Sequence, residues 1–124
     1  MIIVIDTTDK KCEVVFLDGA NIDIKKWRWE KDTGGEVLHN IQKLLKKRQK
    51  NLKNIETIFI NQGPGSYTGT RVGITIANTL GWSLNIPVIG CSGKDFGRFV
   101  SQVSVQLSKN KLPKNHFPTP IYEK

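Results

Sequence analysis

The chain opens on Ile2-Ile3-Val4-Ile5, an unbroken apolar run that predicts a central strand covered on both faces. A polar turn, Asp6 to Lys11, separates it from a second strand over Cys12 to Leu17. Asp18-Gly19 is a hairpin signal, because both residues tolerate positive φ. A third strand follows over Ile22 to Trp29. Its alternation slips, since Ile22 and Ile24 share one face and Trp27 and Trp29 the other, which predicts a bulge near Lys25-Lys26. The tryptophan pair reads as cover over a sheet edge or as a partner contact. Lys31 to Gly35 reads as a loop, and Glu36 to Lys50 as an amphipathic helix with Val37, Leu38, Ile41, Leu44 and Leu45 on one stripe. Ile55 to Ile60 is a fourth strand, Ser66 to Leu84 a second helix stopped at Asn85-Ile86-Pro87, and Val88 to Cys91 a fifth strand. Phe96, Phe99, Val100, Val103 and Leu107 give helical spacing to Lys94–Leu107, and the polar, proline-bearing Lys109–Lys124 reads as an extended tail. The order predicts an α/β domain: a mixed five-stranded sheet, β-β-β-α-β-α-β, over residues 1–93, with right-handed final crossovers and a C-terminal helix plus tail over 94–124.

Two features of the second helix carry candidate chemistry. It is entered through Asn61-Gln62-Gly63-Pro64-Gly65-Ser66-Tyr67-Thr68-Gly69-Thr70-Arg71-Val72-Gly73. Gly63 and Gly65 let the chain turn sharply, Pro64 fixes φ, and Ser66 or Thr68 can cap the helix. Such a loop is an anion seat or simply a stiff strand-to-helix turn. The lysine of a G-x-x-x-x-G-K-[ST] phosphate loop is missing. Within the helix, Gly69, Gly73, Ala77 and Gly81 recur every four residues and line one face. Helical glycine is costly, so something approaches that backbone: the domain's own sheet and first helix, or a helix of another chain. Val72, Ile76 and Leu80 form a second apolar stripe, and one small domain has few places to bury both, which favours an intermolecular surface.

Size and charge narrow the picture. The 124 residues make one domain, and 19 basic against 11 acidic residues give a net +8, which suits an anionic neighbourhood or a solvated basic face. Lys43, Lys46, Lys47, Arg48, Lys50 and Lys53 crowd the end of the first helix. Cations are welcome there, and any nucleic-acid contact would be with phosphates, since no aromatic is interleaved. Cys12 and Cys91 sit in apolar strand-like runs and read as core residues, and with only His39 and His116 no zinc-ligand cluster is expected. No signal sequence or membrane span is read, and a cytoplasmic home is expected.

Gly63 through Gly73 resembles the signature of the TsaB (YeaZ) family, a Gcp-like, glycoprotease-M22-like domain. The match continues from Ile74 to Gly90, and Ile3-Val4-Ile5-Asp6-Thr7 resembles the family's opening strand. The signature residues are Gly63, Pro64, Gly65, Ser66, Tyr67, Thr68, Gly69, Arg71 and Gly73. The resemblance implies the ribonuclease H-like half of the actin/sugar-kinase/Hsp70 (ASKHA) fold. It also implies a non-catalytic subunit, without cofactor or metal, that binds and activates TsaD. TsaD transfers threonylcarbamoyl to adenosine 37 of tRNA, and TsaE is a further partner. The interface would lie on the two helices, through Leu38, Ile41, Leu45, Gly69, Gly73, Ala77, Leu80 and Gly81, and a homodimer could use the same face. Direct or electrostatic tRNA contact stays open. Two departures stand out. The family's second domain is not apparent after Gly93, although Pro118-Thr119-Pro120-Ile121-Tyr122 faintly resembles its ending. Gly34-Gly35 stands where relatives place a His-Ser pair.

Two other classes compete. A ribonuclease H-like nuclease needs convergent carboxylates on divalent metal, and the fourth strand ends in Asn61 where an acid would serve. An ATP-binding ASKHA-type enzyme would set Asp6, Thr7, Gly65 and Ser66 around phosphates and close a second domain over them. The His-x-x-x-His metal motif of TsaD does not occur.

Overall fold

In the computed structural model of the chain, the residues described are 1–19, 21–29 and 33–92. Five strands and two helices follow one another as β1 (Ile2–Asp6), β2 (Lys11–Asp18), β3 (Asn21–Arg28), α1 (Thr33–Lys47), β4 (Thr57–Asn61), α2 (Tyr67–Leu84) and β5 (Val88–Cys91). The strands form one sheet in the order β3-β2-β1-β4-β5. β1–β2 and β2–β3 pair antiparallel, while β1–β4 and β4–β5 pair parallel. The expected helix and tail beyond residue 93 lie outside the described residues.

Strand alternation divides the sheet into two apolar faces. On the first, Ile3, Ile5, Val14, Phe16, Ile58, Ile60 and Val88 pack with Val37, Ile41, Leu44 and Leu45 of α1 and Ile74 and Ala77 of α2. Both helices therefore cover the same side. On the second, Ile2, Val4, Val15, Leu17, Phe59 and Cys91 form a separate buried cluster. β1 is apolar throughout because it serves both.

β3 carries no bulge. Its pairing with β2 is unbroken from Lys11↔Arg28 to Asp18↔Asn21. The apolar residues change face along the strand because β3 is the sheet edge. Ile22 and Ile24 stand on the second face, opposite Leu17 and Val15, and Trp27 turns to the helix side, where it packs on the first core.

α1 begins at Thr33, within the stretch read as a loop, and ends at Lys47, earlier than its polar pattern predicts. Gln49 takes a left-handed φ of 56°, and the Lys50 N–H returns to the Leu45 carbonyl at 2.8 Å. A short 3-10 turn, Leu52–Asn54, follows, closed by reciprocal Asn51 and Asn54 caps, and so β4 starts at Thr57. Arg48 clamps the end of α1 to the β2–β3 hairpin. Its guanidinium pairs with Asp18 at 3.5 Å and with Asp23.

Candidate functional site

The glycine-rich loop leaves β4 beside the end of β1, because those two strands pair in parallel. Asn61 starts the turn: its Oδ1 accepts the Gly63 N–H at 3.0 Å. Gly63 adopts φ 102°, a conformation that residues with a Cβ rarely take, and the Gly63–Pro64 peptide is cis. Gly65 is required for a different reason. A Cβ there would stand 2.5 Å from the Thr8 carbonyl oxygen. That close approach lets the Ser66 N–H donate to the same oxygen at 2.8 Å. Ser66 is the cap of α2, its Oγ accepting the Gly69 N–H at 3.2 Å.

Asp6, Thr7, Gly65 and Ser66 are brought together as expected for a phosphate seat, and their polar groups bond to Thr8, Asn61 and Gly69. The Asp6 carboxylate accepts from the Thr8 N–H at 3.0 Å, the Thr8 hydroxyl at 2.7 Å and the Asn61 amide at 3.2 Å. Thr7 is fully buried and donates its hydroxyl to the Gly69 carbonyl at 2.6 Å. Gly65 presses on Thr8 and Ser66 caps α2. A carboxylate ringed by its own donors does not invite a second anion. These bonds clamp β1 to α2, while Gly65 and Ser66 also line an open hollow with Thr8, Lys10 and Arg28.

The small-residue stripe is placed differently from the interface reading. Gly69, Gly73, Ala77 and Gly81 are all buried against the chain's own sheet. A Cβ on Gly69 would run into Trp29 and the Thr7 carbonyl, one on Gly73 into the Thr7 hydroxyl, and one on Gly81 into Val88. Ile41 and Leu45 of α1 are buried as well. Gly69, Gly73, Ala77, Gly81 and Ile41 cannot meet a partner without unfolding the domain, and Leu45 shows only an edge to a recess at the end of α1. The approach inferred from the glycines is real, but the approaching body is β1, Trp29 and β5. Trp29 thus covers an edge, closing over Gly69.

What remains of the expected interface is Leu38, 41% exposed, and Leu80, partly buried against the core. Around them α2 turns outward a set that the small stripe drew attention away from. Tyr67, Thr68, Arg71, Val72, Thr75 and Ile76 line a shallow groove of about 410 Å³. Tyr67 is 58% exposed. Arg71 donates to its hydroxyl at 2.8 Å and sits over its ring, 5.1 Å from the centroid. The sequence did hold the signal: Val72, Ile76 and Leu80 run beside the glycines, and only the choice of inward stripe was reversed.

The two cysteines are inert core residues. Burial, with Asp6, Glu36 and Asp9 adding, pushes the Cys12 thiol up to about 11. Burial, then Asp6, pushes Cys91 up to about 12. The Cys91 thiol lies 3.3 Å from the Ile60 carbonyl as its donor. Among the described residues no three His, Cys, Asp or Glu side chains gather as a metal site, and no helix is long and apolar enough to cross a membrane.

The model of the family described as TsaD, tRNA N6-adenosine threonylcarbamoyltransferase, matches residues 35–94. The tRNA threonylcarbamoyladenosine biosynthesis protein TsaB of Buchnera aphidicola subsp. Schizaphis graminum is 33% identical over 92 residues, covering 74% of this chain and 44% of that protein. TsaB of Escherichia coli is 30% identical over 91 residues, covering 73% and 39%. YeaZ from Pseudomonas aeruginosa superposes with a TM-score of 0.69 at 24% identity, over 73% of this chain and 44% of that one. The fold shared with it is the α/β arrangement of a mixed five-stranded sheet and two helices. The chain spans less than half the length of these relatives.

Proposed function

The chain belongs to the TsaB (YeaZ) family, and on that premise we propose that it is a non-catalytic subunit of a cytoplasmic tRNA-modifying assembly. It binds TsaD and supports threonylcarbamoyl transfer to adenosine 37 of tRNA, with TsaE as a further member of the cycle. The observation that carries this reading is the outward face of the helical layer. Leu38 of α1 and the Tyr67–Ile76 groove of α2 present apolar surface on two rigid, well-packed helices. Surface of that kind suits another protein's helices. The β1–α2 clamp supports the same reading, since Asp6 and Ser66 serve the fold.

The test uses the full chain and TsaD. Leu38→Glu combined with Thr75→Arg changes only exposed positions, so thermal unfolding should not move. Capture of TsaD should weaken about tenfold or more, as for a charge set into an interface core. Undiminished capture by the double variant overturns this face. Two copies of the chain could pair through the same helices. Sedimentation of the chain alone, with and without the double substitution, separates that case.

A further inference from the structure

Residues 42–54 hold six basic residues and no acid. The structure divides those six into two sets. Lys47 and Arg48 are tied to the β2–β3 hairpin, Lys47 to Asp23 at 3.7 Å and Arg48 to Asp18 and Asp23. They already complement the C-terminal end of the α1 dipole. Lys43, Lys46, Lys50 and Lys53 are exposed and make no ion pair with a described carboxylate. Lys43, Lys46 and Lys47 lie three and four residues apart on α1, where like charges weaken a helix. Three of the free four, Lys46, Lys50 and Lys53, rim a corner where α1 meets the 3-10 turn. It is an open recess of about 720 Å³, lined by Leu45 and Leu52 between Lys46, Lys50 and Lys53 and the amides of Gln42, Gln49 and Asn51. A second hollow beside it adds His39, Lys43 and Lys47.

We propose that this corner holds the phosphate backbone of a structured RNA. The inference rests on the reading of the chain as part of a tRNA-modifying assembly, and adds a surface that the assembly would use. Flexible lysine stems suit phosphates met at several angles, and amide side chains supply donors between them. No Phe, Tyr or Trp lines either hollow, so the contact is chiefly with phosphates and independent of sequence. The site is distinct from the α2 groove given to the protein partner.

The full chain is titrated with unfractionated tRNA across a range of sodium chloride, read by fluorescence anisotropy. Four phosphate contacts should give log K against log salt a slope of about −3 to −4. The variant Lys43→Gln, Lys46→Gln, Lys50→Gln, Lys53→Gln should lose most of that slope and bind about tenfold or more weakly near 0.1 M salt. Lys26→Gln with Arg28→Gln, exposed on β3, should bind within about twofold of the parent. A quadruple variant that matches the parent in affinity and slope overturns the corner, as does a parent with no salt-dependent binding. Capture of TsaD, measured on the same proteins, keeps the two readings apart. Capture without tRNA binding sinks the corner and leaves the protein interface standing. Lysine-dependent tRNA binding without capture does the reverse.

Discussion

Thr7 shows how one buried side chain can decide what a glycine is for. Its hydroxyl bonds to the Gly69 carbonyl and lies where a Cβ on Gly73 would go. Gly73→Ala must therefore move α2 away from β1 or break that bond. Overpacking of this kind costs about 1–3 kcal/mol, to be read as a shift in the urea midpoint at constant m. Thr7→Ala empties the contested space, so adding it to Gly73→Ala should cost less than the sum of the two single changes. Strict additivity would mean that the two residues do not compete. The sequence made the close approach legible, because glycine every four residues in a helix needs a reason. It could not reveal the approaching group. That depends on β1 and β4 pairing in parallel, which sets Thr7 under α2 from 62 residues away.

Among the elements, α1 is fixed by charge at its end as well as by its apolar stripe. Arg48 is nearly buried between Asp18 and Asp23, with its side chain 13% exposed. Its hydrogen bond to Asp23, helped by its charge and that of Lys47, holds the Asp23 carboxyl below the ordinary aspartate value. A carboxyl lowered in the folded state stabilises above its unfolded pKa, near 3.9, and that contribution fades as pH falls through the folded value. Asp23→Asn should thus melt below the parent at neutral pH, and the gap should close as pH falls through the lowered folded value. A gap that stayed constant with pH would assign the loss to packing. Every strand and helix of the described residues was legible in the periodicity. The misread points were local. The β3 bulge was inferred from a change of apolar face that an edge strand makes without one, and the 3-10 turn at Leu52–Asn54 was hidden within polar residues.

At the scale of the molecule, the second sheet face has a cost profile that its sequence does not announce. Ile24, Val15, Val4, Phe59 and Ile89 stand in one row across all five strands, each in register with the next. By composition the row is uniform, and the unbroken run in β1 shows only that both of its faces are apolar. Burial is not uniform. Val4 and Phe59 are wholly inaccessible, whereas Ile24 is 54% exposed on the edge strand. The hydrophobic contribution follows the area removed from water, so it should fall steeply toward β3. Phe59→Ala should cost about 3–5 kcal/mol, the range for an aromatic removed from a packed core. Ile24→Thr keeps the β-branch that suits a strand and exposes little new surface, so it should stay within about 0.5 kcal/mol of the parent. Equilibrium denaturation of the two variants compares them directly. A large loss for Ile24→Thr would mean that the β3 end of this face is covered in solution. Sedimentation of the parent would then show whether a second copy covers it, since pairing raises the mass of the chain on its own.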